Sequence, residues 1–229
     1  MGGNITNQGL KQLTMTILPS VYYGSVEYWA ALVQAGDDAI IDLGENYIKR
    51  SERNRTEIMT SGGVMQLSVQ LAHANRPRQP MRTMRVDYSK RWQHQHLIAI
   101  ESAYRSSPYY DYYAHHFTPL YEREWEHLVE LNMATMEAIC RILKIGMPKM
   151  SETYISAAPL DLDMRDKKRG STLCAEPYIQ VFDDRFDFAP NLSIFDLIMC
   201  EGPAAIDYLR RAKLWLHRVM LSLWVRWAS

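Results

Sequence analysis

Two short apolar runs, residues 15–18 (MTIL) and 39–43 (AIIDL), are separated by a segment with room for a single helix. That spacing limits the fold more than any other feature of the chain. Pro19 closes the first run, since proline has no N–H to give to a sheet ladder. Residues 26–33, VEYWAALV, place apolar side chains at helical spacing, and Gly36 supplies the stop. Strand, helix and strand in so compact a stretch favour a parallel pair joined by a crossover. In open parallel sheets the loops beyond the strands' carboxyl ends carry the ligand. The Tyr22-Tyr23-Gly24 loop and the segment after Ile41 hold those positions.

Downstream, residues 56–59 and 64–71 flank Ser61-Gly62-Gly63 and read as a hairpin. NRPRQPMRTMRV is a Pro-broken basic loop leading to a short strand at 84–88. From Lys90 the periodicity turns helical: RWQHQHLIAIESAYR, then a long amphipathic helix from about Pro119 to Gly146. Residues 151–177 are polar and loop-like. PNLSIFDLIMCEGPAAIDYLRR gives one or two more helices, with Asn191 or Ser193 as N-cap. The expected class is α/β: an N-terminal mixed, partly parallel sheet with a crossover helix, followed by a mainly helical C-terminal portion. Residues 1–14 read as a flexible leader, 15–209 as one domain, and 210–229 as an amphipathic C-terminal helix. That last helix, with its broad Trp/Leu face and cationic stripe, is expected to pack on the core. The alternatives are a second copy, making a homodimer, or a membrane surface contacted peripherally.

Twenty-six basic residues balance twenty-six acidic ones over 229 residues, so no bulk attraction to nucleic acid or anionic membrane is implied. Ionic recognition must be local. Cys140, Cys174 and Cys200 stand far apart, without the pairing of a disulfide framework or a zinc knuckle. They suit a reducing, cytoplasmic setting. No apolar run reaches the length of a membrane span. Motifs for a P-loop, a dinucleotide-binding turn and a nucleophile elbow are missing.

Local ionic recognition has an obvious place to reside. IDLGENYIKRSERNRTEI gathers Lys49, Arg50, Arg53 and Arg55 among Glu45, Glu52 and Glu57. Such cations repel one another unless carboxylates or a ligand intervene, and guanidinium grips phosphate or carboxylate with paired hydrogen bonds. The segment is therefore either a solvated ion-pair loop or a cradle for an anion. If Arg53 begins a strand, alternation puts Arg53 and Arg55 on one face and Asn54 on the other. His96 shares a helix face with Trp92, Ile100 and Ala103, either as a core histidine or as a general base. Tyr104 lies two turns on. Asp196, inside the apolar run LSIFDLIMC, needs a partner if buried; Arg55, Arg165 and His96 are the candidates, the last making an oriented His–Asp pair. Tyr178 and Gln180 fall on one side of a short strand, and Asn191 caps a helix or offers its amide to a ligand. The histidines have no metal-pair spacing, so no bound metal is expected.

Three ordered blocks resemble the WbqC-like family of bacteria, whose members occur among genes for O-antigen and other surface polysaccharides. They are ILPSVYYGSVEYWAALVQAGDDAIIDLGENYIKRSERNRTEI, WQHQHLIAIESAYRSSPYYDYY and YIQVFDDRFDFAPNLSIFDLIMCEGPAAIDYL. The chain departs from the pattern where Asp163-Met164-Arg165 is followed by DKKRGSTLCAE rather than by His-Pro-Lys. The resemblance implies a setting, surface-sugar assembly. Within it the leading expectation is a transferase of surface-polysaccharide or related metabolism, moving an acyl or aminoacyl group onto an amino sugar or a carrier-bound acceptor. On that reading Lys49, Arg50, Arg53 and Arg55 hold the anionic partner. His96 acts as base, oriented by Asp196, while Tyr22, Asn54, Tyr104, Tyr178, Gln180 and Asn191 shape the pocket. No cofactor signature is present; an acyl-CoA, a carrier thioester or a nucleotide-sugar would be a substrate. The rivals are a non-catalytic scaffold module and a nucleotidyltransferase using Asp42 and Glu45.

Overall fold

The computed structural model describes residues 15–73, 78–166, 168 and 170–214. The proposed leader and residues 215–229 of the expected C-terminal helix lie outside them; of that helix's first residues, Arg210 and Arg211 end the preceding helix and Lys213–Leu214 form a short strand. Strand β1 (Thr16–Pro19) and strand β2 (Ala39–Asp42) pair in parallel, from Thr16 opposite Ala39 to Pro19 opposite Asp42. Helix α1 (Val26–Ala35) makes the crossover. Its N-cap is Ser25, whose hydroxyl accepts from the Tyr28 N–H at 3.4 Å. It ends where Gly36 adopts φ 55° and returns its N–H to Leu32, a conformation that glycine enters without a Cβ clash.

A hairpin of β3 (Arg55–Thr60) and β4 (Gly63–Ser68) follows. Then come α2 (Trp92–Tyr104), α3 (Tyr110–Phe117) and α4 (Leu128–Leu143). The long helix expected from Pro119 begins only at Leu128. Residues 118–121 instead form a 3-10 turn, and the chain after it extends. There Glu126 O accepts from Val86 N at 3.1 Å, and Leu128 N donates to Met84 O at 2.8 Å. Backbone groups engaged between distant segments in this way cannot close helical turns. The matching strand expected at 84–88 is reduced to isolated bridges, Leu71 with Val86 and Arg85 with His127.

Strand β5 (Lys149–Ser151) leads into the stretch read as loop, which itself contains two short strands, β6 (Leu162–Asp163) and β7 (Leu173–Cys174). Helices α5 (Ile194–Glu201) and α6 (Ala205–Arg211) lead to β8 (Lys213–Leu214), which pairs antiparallel with β7. β5 joins β2 and β6 joins β1, both in parallel, so the main sheet has the order β5-β2-β1-β6 with all strands running one way. The fold is α/β, as expected, with the antiparallel hairpin standing as its own two-stranded sheet.

The core lies between this sheet and the helices. Ile17, Leu18, Ile41, Trp29, Phe117, Phe195 and Leu209 are sealed from solvent. Each such aliphatic or aromatic side chain stabilises the fold by about 1.5–3 kcal/mol through burial alone. Trp29 also donates its indole N–H to Tyr23 O, and Gln34 on α1 ties down the end of α6 through Leu209 O and Ala212 O, both at 2.8 Å. Among the described residues no helix is long and apolar enough to cross a membrane.

Candidate functional site

Beyond the carboxyl end of β1 the chain makes the loop 20–25, and Tyr22 N donates to Glu52 O at 2.9 Å. The aromatic loop is thereby fastened to the charged segment. A cleft of about 340 Å³ opens at this edge. Pro19 and the start of α1 form one side, the segment 50–57 another, and residues 164–166 and 170–171 a third, with Asn191 and Ser193 ahead of α5 closing it.

Two of the four arginines lining the cleft are fixed parts of its floor. Arg53 is 2% exposed and makes a two-pronged contact with Glu45, through Nε to Oε1 at 2.9 Å and through Nη2 to Oε2. Nη2 also reaches Arg165 O at 3.1 Å, and Nη1 reaches Ser51 Oγ at 3.3 Å. Burial lifts the Glu45 pKa, and the Arg53 hydrogen bonds and charge pull it back. Arg165 makes the second pair of contacts, with Asp163 through Nε (2.9 Å) and Nη2 (2.6 Å) and with the fully buried Asp42 through Nη1. The Tyr154 ring lies 4.6 Å from its guanidinium carbon. Partial burial opposes ionisation of Asp163, but Arg165 outweighs it and holds the carboxyl below the usual range. The same contacts raise the Arg165 pKa.

The other two arginines are available. Arg50 is exposed with φ 56°, and Arg55 opens β3. Neither makes an ion pair among the described residues, and the Arg55 Nε is buried without a hydrogen-bond acceptor. Carboxylates share the cleft with them. Glu52 keeps solvent exposure as a residue, yet protein crowded around its carboxyl raises its pKa; the Ser25 N–H (2.9 Å) and hydroxyl (3.1 Å), donating to it, work the other way. Glu57 is exposed and meets Gln66 Nε2 only at 3.4 Å. Asn191, at φ 58°, accepts from Glu27 N at 2.8 Å and so satisfies a further N–H at the start of α1, while Ser193 caps α5.

The residues singled out in the sequence thus divide into separate groups. Arg50, Arg53, Arg55 and Asn191 meet around the cleft. Lys49 is exposed next to it but does not line it. Asn54 faces away, accepting from Tyr47 OH at 2.9 Å and donating to Val69 O at 3.0 Å. His96 is in the core: its Nδ1 lies 3.0 Å from Tyr22 OH, which also meets Tyr121 OH at 2.8 Å, and the Trp92 ring packs edge-on against it. Burial lowers the His96 pKa to about 4. Asp196 belongs to a third cluster. Tyr178 OH (2.7 Å) and Gln180 Nε2 (2.6 Å) donate to its Oδ2, and Tyr104 OH (3.1 Å) to its Oδ1. Tyr178 and Gln180 reach it from irregular chain rather than from the strand expected there. Burial raises the Asp196 pKa against those three donors.

The His96–Asp196 pair considered from the sequence is therefore not formed: hydroxyl and amide donors meet the carboxylate, and the His96 Nδ1 meets Tyr22 instead. Asp42 and Glu45, the acidic pair named for a nucleotidyltransferase, are each held by a buried arginine. Ser25 and Arg165 carry structural weight that local sequence did not disclose. Ser25 had a faint signal, a serine directly before a helical run. The Arg165–Asp42 contact spans too much chain to leave any.

The WbqC-like protein family matches residues 20–181, most of the chain and all of the cleft lining except Pro19, Asn191 and Ser193. A Mycobacterium tuberculosis protein, described as uncharacterized protein Rv1507c, is 28% identical over 216 residues, covering 78% of this chain and 90% of the relative. No solved structure matches the chain. On the extent of the family match, the chain belongs to the WbqC-like protein family.

Proposed function

We propose that the cleft receives an anionic substrate and that the protein is a transferase of surface-polysaccharide or related metabolism. It would move an acyl or aminoacyl group onto an amino-sugar or carrier-bound acceptor. The observation that carries the binding part is the contrast among the arginines. Arg53 and Arg165 are consumed by internal carboxylates, whereas Arg50 and Arg55 line the cleft with no acid partner among the described residues. A guanidinium with a desolvated, unaccepted N–H is stabilised by any carboxylate or phosphate that reaches it.

The position agrees with the rule that α/β sheets hold ligands beyond their strands' carboxyl ends. The helices α1 and α5 both point their N-termini toward this space, adding positive potential. At about 340 Å³ the cleft is at the small end for ligand pockets. It suits the charged head of a substrate, a phosphosugar or a pyrophosphate, with the remainder of a nucleotide or pantetheine arm outside.

A thermal-shift series with sugar phosphates, nucleotide-sugars, coenzyme A and acyl thioesters tests this reading. Saturating ligand at about a hundred times Kd should add about 2.7 kcal/mol of stability, and R55A should lose that gain. Release of free thiol from an acyl thioester in the presence of an amino-sugar acceptor then tests the transfer. Binding without thiol release would leave a binding module in place of a transferase.

A further inference from the structure

Among the described residues the cleft has charges of both signs that make no ion pair: Arg50 and Arg55 line it so, and so do Glu52 and Glu57. Elsewhere in the same site the chain pairs its charges closely: Arg53 with Glu45, Arg165 with Asp42 and Asp163. Guanidiniums and carboxylates sharing so small a space would gain by meeting, yet among the described residues these four do not meet. Their positions are set by the backbone instead. Glu52 is pinned by both donors of Ser25 at the start of α1, and Arg55 and Glu57 project from β3, a strand fixed by its ladder to β4. Alternation along that strand puts Arg55 and Glu57 on one face, with Thr56 and Ile58 buried on the other.

Resting on the reading above that the cleft takes an anion, we propose that its ligand carries a protonated amine as well. The class is an amino-sugar phosphate or a similar zwitterion, with Arg50 and Arg55 on the anionic group and Glu52 on the ammonium. The fit is chemical on both sides. Phosphate supplies an acceptor to the Arg55 guanidinium, which makes no ion pair among the described residues and whose buried Nε has no acceptor there. An ammonium would give Glu52 the ion pair that it does not make among the described residues: its carboxylate meets the Ser25 donors and feels the carboxylates of Glu27 and Glu57. Ser25 occupies one lone pair on each Glu52 oxygen, leaving further acceptor capacity on both.

Calorimetric titration of the full chain with three probes tests the proposal: glucosamine 6-phosphate, glucose 6-phosphate and glucosamine. A charge-assisted contact to Glu52 should make the amino-sugar phosphate bind about tenfold or more tighter than glucose 6-phosphate. E52Q keeps an acceptor for Ser25 and should erase that preference, with glucose 6-phosphate binding at least as tightly as in the wild type because a carboxylate no longer repels its phosphate. E57Q should keep the preference. Equal affinity of the wild-type protein for the two phosphates would overturn the amine assignment and leave the anion site standing. A preference that survives in E52Q would overturn the role of Glu52. Failure of both phosphates to bind would overturn the anion site and this inference together.

Discussion

Arg53 and Glu45 face each other through two hydrogen-bonded contacts with both side chains at 2–3% exposure. Two residues further on, Arg55 has a buried Nε and no acceptor. One segment therefore contains both an arginine that builds the site and one left open within it.

Removing one half of the sealed pair strands a buried charge. R53A and E45A are each expected to cost about 3–5 kcal/mol in urea-unfolding free energy. The double replacement R53M/E45L should recover much of that loss, because neither charge then remains uncompensated. A single replacement that unfolds at the wild-type urea midpoint would show that the pair is not a structural clamp.

His96 makes an acid-sensitivity prediction. Its imidazole titrates near 6.5 in the unfolded chain and near 4 in the folded one, so between those values the unfolded state binds the proton and the folded state does not. Stability from this group is whole above pH 6.5 and drains away as pH falls through the window. At the acid end the loss reaches roughly 3 kcal/mol. In H96Q, whose amide can still meet the Tyr22 hydroxyl, the stability–pH curve should be flatter over that interval. Parallel curves for the two proteins would refute the assignment.

Gly44 tests the second buried ion pair from its backbone side. A methyl group added there would run into the backbone of Thr153 and Tyr154. The next residue, Ile155, accepts from Arg165 Nη1 at 2.8 Å and donates to Asp42 Oδ2 at 3.3 Å. G44A should displace this stretch from the Asp42–Arg165 pair and destabilise by about 1–3 kcal/mol, read from the denaturation midpoint. Wild-type stability in G44A would mean that the loop relaxes without cost.

Much of the fold could be read from the chain because its signals are local. The apolar runs of β1 and β2, the helical spacing of α1 and the stop at Gly36 all sit within one short stretch. The Ser61-Gly62-Gly63 turn likewise marked the hairpin. The start of α4 was misread because apolar periodicity extends back past Leu128 while the backbone of residues 126–128 is engaged by residues 84 and 86. The same limit applied to the site. Clustering exposed the arginines, but which of them would be neutralised depended on Glu45, Asp42 and Asp163 arriving from different elements. His96 and Asp196 each had the composition of a working group, and the contacts that make them core members come from Tyr22, Tyr104, Tyr178 and Gln180. Spacing carries no record of such partners.

The central claim is that Arg50 and Arg55 receive an anion in the cleft. Titration of a hexose phosphate into the wild-type protein, R55A and R50A, each checked for an unchanged unfolding midpoint, tests it most directly. Saturable binding by the wild type, weakened about tenfold or more in each folded variant, is the expected result, in line with the loss of a charge-assisted contact. Equal affinity in the wild type and in R55A would contradict it.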